Sequence, residues 1–411
     1  MRIVDGSDAR AIARLSSSHS TADAAFRRRV QKIVDDVRSG GDRAVERFAR
    51  KFDGVTPPLE VSVAEMRKAA SGVDRHVRAA IADAAAHIAR VAFRQIPQHF
   101  DLRVAPGVMV EQRVEPLARV GCYVPGGRFP LPSSLLMTAI PARVAGVREI
   151  IAVCPRPEPV VMAAALEAGV TTLLRIGGAH AIAALAYGTR RVPRVDKIVG
   201  PGNRFVATAK ALVAGDCAID FYAGPTEVVV VAGSGRPEWI AADLIAQAEH
   251  DPDARAIFIT WNRTLGSRVA TTVDRISRGR SIVEQSIRRN GAVIVTRTDR
   301  EAMDVANRLA PEHLVLDRES LARRSVVAGS VFIGEYTAQA AGDYAIGSNH
   351  VLPTGGAARA RGGLSAADFV RVMSVQRLTR PGLRRVARAA VPLARAEGLT
   401  GHAESIEIRL K

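Results

Sequence analysis

Four stretches of the chain bring together groups that can move protons, hold a cation or cradle an anion. In Ala310-Pro311-Glu312-His313-Leu314 a carboxylate and an imidazole adjoin between a helical and an extended apolar segment. Such a pair can supply a water-activating base and a proton shuttle. Asp243, Gln247 and His250 recur at helical spacing and share one helix face, which Asp251-Pro252 then ends. Imidazole and amide oxygen at a helix C-terminus suit Zn2+, with a carboxylate in support. Asp343 in Ala341-Gly342-Asp343-Tyr344 is a candidate for that carboxylate, and His350 a candidate polar contact. Near the end of the chain, Glu397 and His402 lie in AEGLTGH. Taken singly, each has an ordinary structural reading: an imidazole favoured by a helix dipole, a core-edge histidine, an exposed terminal residue.

Two glycine turns could take an anion. Val199-Gly200-Pro201-Gly202-Asn203 follows an apolar run and precedes a helix, and Tyr123-Val124-Pro125-Gly126-Gly127 precedes a helix opened by Pro132-Ser133-Ser134. Glycine lets backbone approach a ligand, and a helix start offers free N–H groups. Neither turn carries the GxGxxG or GxxxxGK[ST] fingerprint.

These groups need a scaffold. Residues 1–100 read mainly as helices, with Arg27 to Phe52 broken at Gly40-Gly41 and a second helix over Ala79 to Phe93. Beyond about 104, apolar runs predict strands over Ile150–Cys154, Thr172–Ile176, Lys197–Val199, Glu227–Ala232, Ala256–Thr260, Ala292–Thr296 and Ser330–Ile333. Helical segments alternate with them: Pro132–Val144, Val160–Ala168, Ala179–Tyr187, Asn203–Val213, Pro237–His250, Arg263–Arg278 and Arg300–Ala310. That alternation predicts an α/β fold with parallel sheets covered on both faces, in two Rossmann-like units. Residues 365–411 return to helix and end in a strand-like tail, Ser405–Leu410.

Composition narrows the function classes. The chain has 411 residues, 47% hydrophobic and 24% charged, with aromatics at 4%. That balance is globular, with cores built from Ala, Val, Leu and Ile. No apolar run is long enough for a membrane span, and the N-terminus lacks the apolar region of a secretory signal. Cys122, Cys154 and Cys217 lack paired spacing and read as buried small hydrophobes. A cytoplasmic location is expected. The net charge of +17 comes from arginine spread along the chain, and clusters such as Arg27-Arg28-Arg29 lack interleaved aromatics. It reads as a solvated basic surface, so neither nucleic acid nor membrane is an expected partner.

The ordered blocks GCYVPGGRFPLPSSLLMTAIPARVAGV, RIGGAHAIAALAYGT, VDKIVGPGNRFVATAK, DFYAGPTEVVVVA, ADLIAQAEH, NRLAPEHLVL, AAGDYAIGSNHVLPT and AEGLTGH make the chain resemble the histidinol dehydrogenase family from about residue 20 to 411. The resemblance implies a zinc-dependent, four-electron oxidation of L-histidinol to L-histidine through L-histidinaldehyde. Two NAD+ are consumed in these last steps of histidine biosynthesis. It implies one Zn2+ per subunit, held by Gln247, His250, Asp343 and His402, the last supplied by the second subunit of an intertwined homodimer with shared active sites. Glu312 and His313 would be the acid–base pair. Thr226, Gln247, His250, His313, Asp343, His350, Glu397 and His402 would contact substrate, and Tyr123, His180 and Asn203 the nucleotide. Thr226 stands where the family usually has Ser, and His180 where Gln is usual. Two other readings stay open: a related zinc and NAD dehydrogenase of another polar alcohol such as a sulfonated diol, and a basic polyanion-binding protein on a retired enzyme fold.

The resemblance also implies a domain plan of two incomplete Rossmann-like domains with small helical N- and C-terminal elements. Residues 1–17 form an N-terminal helical element. Residues 18–122 and 228–364 form the first domain, 123–227 the inserted nucleotide-side domain, and 365–411 a C-terminal dimerisation element.

Overall fold

The computed structural model describes residues 1–16, 24–126, 129–221 and 224–411. In chain order the strands are β1 (Arg2–Asp5), β2 (Glu60–Val61), β3 (Phe100–Ala105), β4 (Val108–Pro116), β5 (Arg119–Tyr123), β6 (Glu149–Val153), β7 (Thr172–Leu174), β8 (Lys197–Val199), β9 (Ala218–Ile219), β10 (Glu227–Val231), β11 (Arg255–Thr260), β12 (Ala292–Val295), β13 (His313–Leu316), β14 (Ser330–Ile333) and β15 (Val370–Leu378). They make three sheets. The first runs β1-β12-β11-β10-β13-β14, wholly parallel. The second runs β2-β7-β6-β5-β8-β9, parallel except for β2. The third, β15-β4-β3, is antiparallel.

The apolar runs become strands because both sheet faces are covered. Val228 and Val230 pack into one core with the helices Pro237–Ala248 and Arg263–Ser277. Val229 and Val231 pack into another with the helix Asp299–Leu309. Alternate residues of a strand point to opposite faces, so a strand buried on both sides must be apolar throughout. Within each large sheet, β10 to β14 and β5 to β9 repeat one order: third, second, first, fourth, fifth. This is the doubly wound order, with the switch of direction between β10 and β13 and between β5 and β8.

The domain plan differs in four places. Residues 1–17 are not solely helical: β1 pairs with β12 and extends the first sheet, and the helix Ala9–Ser16 follows. The expected boundary after residue 17 lies outside the described residues. Much of 18–122 does not belong with 228–364. The helix Ala24–Phe48 packs on Ile182 and Val206, β2 pairs with β7, and β5 is central to the second sheet. The second sheet thus takes in β2, and its parallel strands begin at Arg119 rather than at Tyr123. The first sheet's β10 starts at Glu227, one residue before the expected boundary. Finally, residues 365–411 contain β15, and the tail predicted as strand over Ser405–Leu410 continues the helix Thr400–Glu407. The alternation in SIEIRL imitates a strand, but the segment grows out of an established helix. The predicted break at Gly40-Gly41 is real: Gly41 has φ 52° and kinks the helix there.

Candidate active site

The candidate acid–base pair, Glu312 and His313, is delivered by a sharp helix-to-strand stop. The helix Asp299–Leu309 ends at Ala310, which takes the left-handed conformation at φ 47° and donates its N–H to the Ala306 carbonyl. A non-glycine residue there costs about 1–2 kcal/mol. Pro311 then forbids further helix, and Glu312 leads directly into β13, which His313 opens. Both are buried, at 6% and 4% exposure.

Glu312 Oε2 accepts the Thr226 hydroxyl at 2.5 Å and the Glu227 N–H at 2.9 Å. Burial pushes its carboxyl above the usual value, with His313 pulling the other way. His313 Nδ1 lies 3.2 Å from the Glu227 carbonyl. A carbonyl only accepts, so Nδ1 carries the proton and Nε2 is the basic atom. Nε2 is buried without a hydrogen-bond partner, 3.6 Å from Asp343 Oδ1. Burial alone would lower the imidazole pKa, but the Glu312 and Asp343 carboxylates outweigh it and raise it.

The end of the helix Pro237–Ala248 brings Gln247 beside this pair. The Gln247 amide Nε2 donates to Thr226 Oγ1, leaving Oε1 buried and unpartnered. Gln339 donates to Asp343 Oδ2 at 3.0 Å, and the Asp343 carbonyl meets His350 Nδ1 at 2.8 Å. Burial would raise the Asp343 carboxyl, but His313 and His350 hold it below the usual value. Burial lowers His350, and His250 is near enough to repel its charged form. The segment after Asp343 ties the two large units together: Asn349 donates to the Met137 carbonyl at 2.6 Å, and His350 Nε2 lies 3.4 Å from Ser134 Oγ.

The structure therefore gathers Thr226, Gln247, Glu312, His313, Asp343 and His350, with His250 exposed at the rim. Glu397 and His402 are not gathered. Both are exposed, in and beside the C-terminal helices Arg380–Ala396 and Thr400–Glu407, which pack on each other. Among the described residues of one chain no three His, Cys, Asp or Glu side chains converge as metal ligands.

Tyr123, His180 and Asn203 lie at the other large sheet. The Gly178 N–H, at the start of a helix, donates to the Tyr123 hydroxyl at 3.1 Å, and burial pushes that phenol up to about 12. His180 Nε2 meets Asp53 Oδ2 at 3.0 Å, and the Gly177 N–H donates to the same oxygen at 3.0 Å. Asn203 Oδ1 caps the helix Arg204–Val213, accepting from Phe205 and Val206. The Tyr123 turn is described through Gly126; Gly127 lies outside the described residues.

Sequence reasoning missed Glu227, Asp53 and Gln339. Glu227 faces Arg255 across the strand pair at 3.4 Å, and accepts the Gly355 N–H at 2.8 Å. Its signal was a carboxylate heading an all-valine run. Asp53 had no local signal. The cysteines are as expected: all three are buried and free, and burial raises their thiols to about 11 or 12. None is a thiolate nucleophile at neutral pH. No helix of the described residues is long and apolar enough to cross a membrane.

Comparison with known proteins gives the family of the chain. The family model for histidinol dehydrogenase matches residues 16–410. Histidinol dehydrogenase of Dechloromonas aromatica is 44% identical over 97% of this chain and 95% of its own length. That of Thermus thermophilus is 46% identical over 92% of this chain and 93% of its own. The crystal structure of histidinol dehydrogenase from Elizabethkingia anophelis superposes with a TM-score of 0.94 at 31% identity, covering 100% of this chain and 98% of that one. With this agreement along nearly the whole length, the chain belongs to the histidinol dehydrogenase family.

Proposed function

We propose that the chain oxidises L-histidinol to L-histidine through L-histidinaldehyde, with two NAD+ as hydride acceptors, in the last steps of histidine biosynthesis. The observation that carries this reading is a pair of buried polar atoms without partners, His313 Nε2 and Gln247 Oε1, beside the ionisable Glu312. An unsatisfied buried acceptor costs about 1–3 kcal/mol and persists where a ligand completes it.

The residues fit a zinc ion. An amide oxygen with nothing bound to it, a carboxylate and an imidazole are the donor types zinc accepts. Gln247, His250 and Asp343 would hold it, with His402 from a second copy. Zinc held there would supply a Lewis-acidic template for orienting the substrate. The C-terminal element supports the shared site: Leu378, Leu393 and Ile408 are 48%, 62% and 66% exposed, apolar surface that a second chain would cover.

The protein's own groups then carry two half-reactions. His313 Nε2 takes the alcohol proton as hydride leaves the carbinol carbon for nicotinamide, giving the aldehyde. Glu312 removes a proton from water as its oxygen adds to the aldehyde carbon, while protonated His313 returns its proton to the carbonyl oxygen, giving the hydrate and freeing Nε2 for the second half-reaction; both fixed hydrogen bonds fall on Oε2, which leaves Oε1 to face the water. His313 takes the hydrate's hydroxyl proton as the second hydride leaves, giving the carboxylic acid. Thr226, bridging Glu312 and Gln247, fixes both. Glu397 and His350 would read the substrate's polar ends, and Tyr123, His180 and Asn203 would contact the nucleotide.

The test is NADH release with L-histidinol, before and after chelation. The reading requires two NADH per histidinol and loss of activity on chelation. One NADH per substrate, or turnover only with another polar alcohol, contradicts it.

A further inference from the structure

We propose that Lys210 and Asp220 are a buried positioning pair for the nucleotide-side turn, and that NAD+ affinity depends on them. This rests on reading the crevice between β5 and β8 as the NAD+ side. The two side chains are 4% and 1% exposed and form an ion pair. Between them they hold both backbone groups of Gly200. Asp220 Oδ2 accepts the Gly200 N–H at 2.8 Å, and Lys210 Nζ donates to the Gly200 carbonyl at 3.1 Å. Asp220 Oδ1 takes the Lys210 ammonium and the Phe221 N–H, the latter at 2.7 Å.

Gly200 needs such a clamp. Its φ is 115°, and a Cβ there would lie 2.3 Å from the Tyr123 carbonyl oxygen. The turn is therefore pressed against the end of β5, beside the phenol that receives the Gly178 N–H. It then runs directly to Asn203, which starts the next helix. A shift of the Gly200 peptide moves Tyr123, the turn and that helix start together. Two apolar side chains would fill the same space without the desolvation of two charges, so the pair is explained by the geometry it specifies rather than by stability. Asp220 has a second attachment: its carbonyl accepts from Arg361, whose guanidinium lies 4.8 Å over the Phe221 ring. Asp220 and Phe221 are thus anchored at the same point as the turn.

The test is the double variant Lys210→Met with Asp220→Asn, which leaves no lone buried charge. Its KM values for NAD+ and histidinol, and its thermal unfolding, are measured on the full-length protein. The proposal expects KM for NAD+ to rise about tenfold while KM for histidinol stays within about twofold. Unchanged KM values overturn it. So does a parallel rise in both with a lowered melting temperature, since that marks a purely structural pair. Should the double variant not fold, Asp220→Asn alone is judged by the same split. Tyr123→Ala separates the two levels of the argument. If it leaves KM for NAD+ unchanged, the reading of the crevice fails and the proposal with it. If it raises that KM while the double variant does not, only the pair is overturned.

Discussion

The two large sheets share one strand order and put opposite edges to use. In the second sheet the nucleotide-side groups gather where strands end: Tyr123 closes β5, His180 follows β7, and Gly200 to Asn203 follow β8. In the first sheet the reactive groups gather where strands begin: Thr226 and Glu227 at β10, Glu312 and His313 at β13. The helices run back against their strands, so strand ends meet helix N-termini and strand starts meet helix C-termini. The N-terminal end of a helix carries partial positive charge and the C-terminal end partial negative charge. One edge therefore favours a phosphate and the other a cation. On the proposed function, the same architecture serves as an anion cradle at one edge and as a metal seat at the other, according to which edge is dressed with side chains.

Several variants sharpen or break this contrast. The largest effect is expected at the strand starts. His313→Asn removes the basic Nε2 and should lower kcat by about 10²–10⁴-fold for both half-reactions. In the proposed mechanism Glu312 and His313 both accept protons and so start unprotonated, and both pKa values are raised. Activity should thus fall as pH drops, from a point above the usual imidazole value; a limb confined to the ordinary carboxylate range would contradict this environment. Next comes the metal seat. His402→Asn should lose bound zinc, and mixing with a His313→Asn subunit should restore activity at about one site in each heterodimer. No restoration would argue that each chain completes its own site.

A smaller effect concerns stability. Asp243 lies one turn before Gln247 on the helix whose negative end faces the cluster, and burial raises its carboxyl to about 6. A folded pKa above the unfolded value means a stability contribution present at low pH and lost as pH rises through about 6. Asp243→Asn should therefore stabilise the protein by roughly 2–3 kcal/mol at pH 8 and by nothing below about pH 4, measured by urea unfolding. Equal stability at both pH values would show that Asp243 is solvated. Smallest is Tyr123→Phe at the opposite edge. It deprives the Gly178 N–H of its acceptor, a loss of about 1 kcal/mol or roughly fivefold in KM for NAD+, with KM for histidinol unmoved.

How much of this was legible in the sequence follows from burial. Strands covered on both faces declare themselves as apolar runs, and Lys197–Val199 matches its predicted bounds; the edge strand Ser330–Ile333 also matches, although only its Phe332 is buried. The antiparallel sheet does not. In VRVMSVQRL most of β15 is exposed, and arginines interrupt the apolar pattern that would mark it. β3 is exposed along nearly its whole length and offers no core-facing pattern either. The acid–base pair was visible because Glu312 and His313 are chain neighbours. The Asp53–His180 contact joins residues 127 positions apart, and only the folded chain brings them together. Glu227 was hidden by its own strand, a charge that reads as the edge of an apolar run until Arg255 is seen opposite.

The division of labour at the strand starts is tested most directly by giving Glu312→Gln each of the two substrates, L-histidinol and L-histidinaldehyde, and following NADH. In the proposed mechanism hydride loss from the alcohol needs only His313, whereas addition of water needs Glu312. Aldehyde oxidation should fall by about 10²-fold or more while the first hydride transfer from histidinol survives. Equal loss in both half-reactions would contradict the role given to Glu312.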